Sequence, residues 1–343
     1  MFDRLAVLGA GAIGSIIGGY LTRAGHDVTL IDPWGANIEA IRSKGLHISA
    51  LDEEFTVQAE AVHLGEACNI SEPFDTVFLC LKSYDTIWAT YFAMPPLTPP
   101  GVIVSAQNGI NDDRIAPIVG FSRTLGCVIT LGAGLYDSGN PMRTSVSDRA
   151  AFTVGELNGV TTQRVQELAE LLSVIGPTKV TTNLWGHRWA KLATNSMANP
   201  MCALTGLGSA AARETPGVVD VTVKIGAEVV RVGTALGVQI EPINGMPSEM
   251  YVRATEDAET LEELKTRLAE GARELGAGRP SMLQDVMKGR RTEIEYLNGY
   301  VADRGREVGV PTPACDTITE LIKRVERGEL QSDASNVDYM KHF

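Results

Sequence analysis

The chain has 343 residues and a mass of 36.7 kDa, room for two domains of about 150 residues each. Hydrophobic residues make up 44%, charged residues 21%, and mean hydropathy is +0.02, a profile that excludes a disordered chain. Acidic residues number 42 and basic residues 30, a net charge of −12, so nucleic acid and membrane surfaces are poor partners. Any phosphate-bearing ligand must then be held by backbone dipoles and a few placed cations. The cysteines at 68, 80, 127, 202 and 315 are odd in number and form no Cys-x-x-Cys pair. Reduced thiols are expected rather than disulfides or a zinc site. Without a long apolar leader or an apolar run of about 18 residues, a soluble cytoplasmic protein is expected.

In chain order, the first half alternates short apolar runs with helix-like stretches. The runs are Leu5–Gly9, Val28–Asp32, Thr76–Leu81, Val102–Ala106 and Thr124–Leu131, each rich in Val, Ile and Leu. Between some of them lie Ile13–Ala24, Asn37–Lys44 and Tyr84–Phe92 with helical patterning. This alternation predicts βαβ units and a mostly parallel sheet buried on both faces. The glycine-punctuated stretch 132–160 predicts extra strands at the edge of the first domain. Beyond about residue 180 the strand signals stop, and helices are predicted over 184–204, 216–236, 247–275, 282–289, 292–308 and 313–328. The expected organisation is therefore a dinucleotide-binding domain over 1–182, a helical domain over 183–330 and a loosely held tail over 331–343.

The 35 glycines have one concentrated use. Gly9-Ala10-Gly11-Ala12-Ile13-Gly14 is a Gly-x-Gly-x-x-Gly placed after a strand and opening a helix. The first glycine permits a tight turn, the second lets backbone approach a pyrophosphate, and the third allows close helix–strand packing at a helix N-terminus. Asp32 ends the second strand, where its carboxylate can accept hydrogen bonds from an adenosine ribose and would repel a 2′-phosphate. The following Pro33-Trp34-Gly35 supplies no cation, so NAD is favoured over NADP on these residues. The bland alternative is that Asp32 caps the next turn.

Lys191, Asn195 and Asn199 are spaced i, i+4, i+8 on the first helix of the second half, hence on one face. Lysine can donate a proton to a carbonyl and the amides can hold hydroxyl, carbonyl or nicotinamide groups. A solvated helix face is the bland alternative. Farther on, Ser281 with Gln284 makes a capping-box pattern, Thr292 could cap a helix with Glu293 in its first turn, and Thr312-Pro313 reads as N-cap and first helical residue.

Set in order, these motifs resemble ketopantoate reductases (2-dehydropantoate 2-reductases). The residues are Gly9-x-Gly11-x-x-Gly14, Leu81-Lys82, Gln107-Asn108-Gly109, and Trp189-x-Lys191-Leu192-x-x-Asn195-x-x-x-Asn199-Pro200. Ser281-Met282-Leu283-Gln284-Asp285, Arg291-Thr292-Glu293-Ile294-Glu295-x-x-Asn298-Gly299 and Val310-Pro311-Thr312-Pro313 complete the set. The resemblance implies an N-terminal Rossmann doubly wound α/β domain and a C-terminal all-helical domain like that of 6-phosphogluconate dehydrogenase, with the active site in the cleft between them. It implies Lys191 as general acid and Glu293 as the residue that orients the substrate through its hydroxyl. Asn195, Asn199 and Ser281 would bind substrate, Asn108 would touch substrate and nicotinamide, and Lys82 the cofactor or substrate. Gly9 to Gly14 and Asp32 would complete the cofactor site, and no metal is implied.

Three departures stand beside the resemblance. Many members carry an arginine after the second strand for the NADPH 2′-phosphate, where this chain has Asp32-Pro33-Trp34-Gly35, so the cofactor is NAD by its residues and NADP by family habit. The family's frequent His-Thr-Gly gives way to Pro141-Met142-Arg143-Thr144-Ser145. The stretch 241–278 is longer than usual and could reshape the substrate pocket or build a subunit contact in a homodimer. The leading expectation is interconversion of ketopantoate and D-pantoate in pantothenate biosynthesis. A different D-2-hydroxy acid handled with NAD, as by D-mandelate-type dehydrogenases, is the rival. A non-catalytic dinucleotide sensor is the alternative of another class, disfavoured because a sensor needs no proton donor.

Overall fold

The computed structural model describes residues 2–275 and 278–342, which fall into two compact units divided between Leu184 and Trp185. The first unit begins with β1 (Arg4–Leu8), α1 (Ala12–Arg23), β2 (Asp27–Asp32) and α2 (Gly35–Lys44). Three short strands follow, β3 (Leu46–Ser49), β4 (Glu54–Val57) and β5 (Glu60–His63). Alternation resumes with β6 (Phe74–Leu79), α3 (Thr86–Ala93), β7 (Leu97–Ser105), α4 (Asp112–Val119) and β8 (Thr124–Ile129). The unit ends with β9 (Ala133–Asp137), β10 (Asn140–Arg143), β11 (Phe152–Glu156), α5 (Gln163–Ser173) and β12 (Thr178–Val180).

The main sheet has the order β12-β11-β8-β7-β6-β1-β2-β5, parallel throughout except for the β8–β11 pair. From central β1 the chain winds outward through β2 to β5, then crosses back to β6 and winds the other way, a Rossmann doubly wound arrangement. Burial on both faces of the sheet explains the apolar run Leu5–Leu8 of β1. Leu5 and Val7 pack with Ile16 and Ile17 of α1, whereas Ala6 and Leu8 pack with Ala89 of α3 and Ile115 of α4.

The stretch 132–160 contains three strands of the first unit, of which β11 lies in the main sheet between β8 and β12. β9 and β10 instead form a second sheet, β4-β3-β10-β9, with two strands from 46–57. Arg143, in the stretch where the family pattern departs, is 1% exposed and donates to the Ile175 and Val146 carbonyls, pinning β10 down.

The second unit is built on α6 (Leu184–Thr205), α7 (Ser209–Glu214), α8 (Val218–Ala235), α9 (Glu249–Arg253) and α10 (Ala258–Leu275). It continues with α11 (Ser281–Met287), α12 (Asn298–Val308) and α13 (Pro313–Glu326). The helix expected over 247–275 is interrupted, because Asp257 Oδ2 accepts from the Thr260 N–H at 2.9 Å and starts α10 afresh. In the long stretch 241–278, residues 276–277 lie outside the described residues. The helix expected from 292 opens as a 3₁₀ turn, Ile294–Tyr296, and becomes α-helical only at Asn298, after Leu297 leaves helical geometry at φ −109°, ψ −92°.

The loosely held tail is corrected, except for Phe343, which lies outside the described residues. Residues 334–340 form a 3₁₀ helix with Asn336, Val337 and Met340 buried. Ser332 Oγ donates to the Ala203 carbonyl, and the Asp333 N–H and Asn336 Nδ2 both donate to that of Leu204. These are the carbonyls left without helical donors at the end of α6, so the tail caps the helix. No helix among the described residues is long and apolar enough to cross a membrane.

Candidate active site

The first unit gathers its site residues at the carboxyl ends of β2, β1, β6 and β7, which lie side by side in the sheet. The crossover between β1 and β6 is where an open α/β sheet forms its ligand crevice. Gly9 has φ +102°, and a Cβ there would stand 2.9 Å from the Cys80 and Leu81 backbone. At Gly14 a Cβ would fall 1.9 Å from the Gly9 carbonyl oxygen, so the third glycine is required by packing. A Cβ at Gly11 would meet nothing within 4 Å. Gly11 is the N-cap of α1, no side chain among the described residues caps that terminus, and no acidic residue lies in its first turn, Ala12 and Ile13 included. An open approach over uncapped N–H groups fits a dinucleotide pyrophosphate.

Asp32 is 8% exposed and both its carboxylate oxygens serve the local backbone. Oδ2 accepts from the Ala10 N–H at 2.6 Å and Oδ1 from the Trp34 N–H at 2.7 Å. The turn-capping role is thus realised, and Asp32 also braces the glycine loop. Asn37, unnoticed in the sequence, holds the same loop: its Nδ2 donates to the Ala10 carbonyl at 2.9 Å while its Oδ1 accepts from the Gly139 N–H at 2.8 Å. Arg42 donates to the Ala61 carbonyl and to Glu66, both at the β5 side.

Lys82 and Asn108 follow β6 and β7 and are both half-buried. Their loops are tied together. Ser83 Oγ donates to the Asn108 carbonyl at 3.0 Å, Asn111 Nδ2 donates to the same carbonyl at 2.8 Å, and Gln107 Nε2 donates to the Leu81 carbonyl at 2.9 Å. Gly109, with φ +76°, turns the chain after Asn108.

In the second unit, α6 carries Lys191, Asn195 and Asn199 along one face. Asn195 and Asn199 are 6% and 7% exposed and Lys191 is half-buried, so the row is not a solvated surface. Burial pushes the Lys191 ammonium below its ordinary pKa, and no hydrogen-bonding or charged partner among the described residues offsets it. Arg188, 2% exposed, precedes Lys191 on the same face and had no role in the sequence reading.

Asn199 Nδ2 lies 3.4 Å from Ser281 Oγ, which brings the α6 row and the α11 serine together. Ser281 is not a capping residue. It is the first residue of α11, whose N-cap is Pro280, while Gln284 Nε2 reaches back to the Arg279 carbonyl. Glu293 is 4% exposed and heads the 3₁₀ turn, its carbonyl accepting from the Tyr296 N–H at 2.9 Å. Thr292 Oγ1 accepts from the Ile294 N–H at 3.2 Å. Thr312 stands at the N-cap of α13 with Pro313 next, but a different residue caps that helix: Glu228 of α8 accepts from the Ala314 and Cys315 N–H groups, both at 2.8 Å.

Comparison with known proteins places these features. Family models match residues 5–159, described as ketopantoate reductase PanE/ApbA, and residues 183–326, described as its C-terminal part. A 2-dehydropantoate 2-reductase of Pyrococcus horikoshii is 32% identical over 94% of this chain and 97% of that protein. The solved PanE/ApbA family ketopantoate reductase of Ralstonia eutropha JMP134 superposes with a TM-score of 0.78 at 26% identity, covering 95% and 99% of the two chains. A D-mandelate dehydrogenase solved with NADH and anilino(oxo)acetate shares the fold, with a TM-score of 0.81 at 23% identity over 95% and 99%. Fold and matches together define an oxidoreductase that uses a nicotinamide dinucleotide and acts on a CH–OH group. The chain belongs to the ketopantoate reductase family.

Proposed function

We propose that the protein reduces a 2-oxo acid to a D-2-hydroxy acid, with ketopantoate and D-pantoate as the substrate pair and Lys191 as the proton donor. The observation that carries the reading is the half-buried Lys191 ammonium, without a partner among the described residues and in line with Asn195 and Asn199, the latter beside Ser281. Bound at the uncapped start of α1, a reduced nicotinamide dinucleotide supplies a hydride. Asn195, Asn199 and Ser281 hold the oxo acid by its polar groups, the serine near the carboxylate. Lys191 Nζ gives its proton to the ketone oxygen as alkoxide charge develops there, and the depressed pKa makes that transfer easier. Glu293 accepts from the substrate hydroxyl and so fixes which face of the ketone is presented. Lys82 and Asn108, on linked loops, serve the nicotinamide side.

For the cofactor we infer NAD. The Asp32 carboxylate at the end of β2 is anionic where a 2′-phosphate would approach, and Arg42 is committed to Ala61 and Glu66. The same feature keeps an NAD-linked dehydrogenase of another D-2-hydroxy acid as the second reading. The cysteines of this chain are all free thiols, as suits a soluble enzyme of the reducing cytoplasm. A panel of 2-oxo acids assayed with NADH and NADPH tests substrate and cofactor together. Highest kcat/KM for ketopantoate with NADH is expected. A preference for an aromatic oxo acid would move the assignment to the second reading, and tighter NADPH binding would overturn the role given to Asp32.

A further inference from the structure

α6 contains a proline in its interior, Pro200, directly after Asn199. A proline has no N–H, so the carbonyl four residues back, that of Ser196, loses its helical donor. Ser196 is fully buried, and a buried carbonyl left unpaired is destabilising. The missing donor comes from another part of the chain: Asn298 Nδ2 donates to the Ser196 carbonyl at 3.1 Å. Asn298 is itself 0% exposed and is the first residue of α12, with Leu297 between it and the 3₁₀ turn headed by Glu293. Its amide also approaches Cys315 Sγ at 3.9 Å, and Cys315 in turn donates its N–H to Glu228. One buried amide thereby joins α6, between Asn195 and Asn199, to the segment that carries Glu293.

We propose that Asn298 is a positioning residue: by replacing the hydrogen bond that Pro200 removes, it sets the distance between the α6 row and Glu293. The proposal rests on the roles given above to Lys191 and Glu293. A side chain that only filled space could be any apolar residue of that size; an amide is needed because the carbonyl needs a donor.

The test is a double-mutant cycle of Asn298→Ala and Pro200→Ala, read by Tm and by steady-state kinetics. Asn298→Ala is expected to lower kcat/KM about ten- to a hundredfold for an oxo acid bearing the hydroxyl that Glu293 engages, and much less for an analogue without it. NADH affinity should not change. Pro200→Ala restores an N–H to Ser196, so in that background Asn298→Ala should cost little in either Tm or kcat/KM. If Asn298→Ala alone does not fold, the double variant is compared with Pro200→Ala directly, and failure of the double variant to fold overturns the proposal. Additive losses, or a fall in Tm with both analogues turned over as before, overturn it as well. Failure of the functional reading looks different: Lys191→Ala would keep its turnover, and the positioning role would fall with it.

Discussion

Among the described residues nothing neutralises the Lys191 ammonium, and the burial that makes it a better acid makes it a burden to the fold. In the mechanism proposed above the protonated form is the donor, so reductive kcat should fall as pH rises through the depressed Lys191 pKa, below the ordinary 10.5. Lys191→Ala should reduce kcat by about a hundred- to ten-thousandfold, with NADH affinity retained, as read by stopped-flow hydride transfer and fluorescence titration. Removing an uncompensated ammonium should also help stability. Lys191→Met is expected to raise Tm near neutral pH, and a lower Tm would show that the ammonium is well solvated. The glycine loop separates two kinds of requirement in a comparable way. Gly11→Ala should fold with unchanged Tm yet weaken NADH binding, since its Cβ enters the open approach. Gly14→Ala should lower Tm, because its Cβ meets the Gly9 carbonyl at 1.9 Å. Equal Tm losses in the two would contradict that division.

Among the elements, termini decide more than interiors. α13 begins with Thr-Pro, a start signal legible in the sequence, yet the Thr312 hydroxyl donates to Asp316 and the cap is Glu228, 86 residues away from Ala314. Burial pushes the Glu228 carboxyl up, while the two backbone N–H bonds oppose that rise. Glu228→Ala should cost about 2–3 kcal/mol in urea denaturation, more than an exposed cap, because two buried N–H groups lose their acceptor. A loss near zero would mean that the α13 N-terminus is satisfied otherwise. The tail over 331–342 and the 3₁₀ turn before Asn298 belong to the same category. Each was misread from sequence because polar, weakly patterned residues look mobile or helical until their distant hydrogen-bond partners are known.

For the whole molecule, an excess of 12 negative charges makes each paired carboxylate matter to acid stability. Burial opposes ionisation of Glu156, but the Arg164 guanidinium and the Thr162 hydroxyl outweigh it and hold its carboxyl below the ordinary 4.5. Its stabilisation is therefore complete above about pH 4.5 and lost as pH falls through the lower folded value. Glu156→Gln should flatten the fall of Tm between pH 5 and 3 relative to wild type, and an unchanged slope would remove Glu156 from the acid transition. Local spacing was enough to read the glycine loop, the βαβ alternation and the one-faced row of Lys191, Asn195 and Asn199, because strand and helix periods act over a few residues. The second sheet, the Glu228 cap and the Asn298 amide at the Ser196 carbonyl were settled only by tertiary structure. Each joins residues roughly a hundred positions apart, and which distant donor meets a buried acceptor is decided by packing rather than by any pattern along the chain.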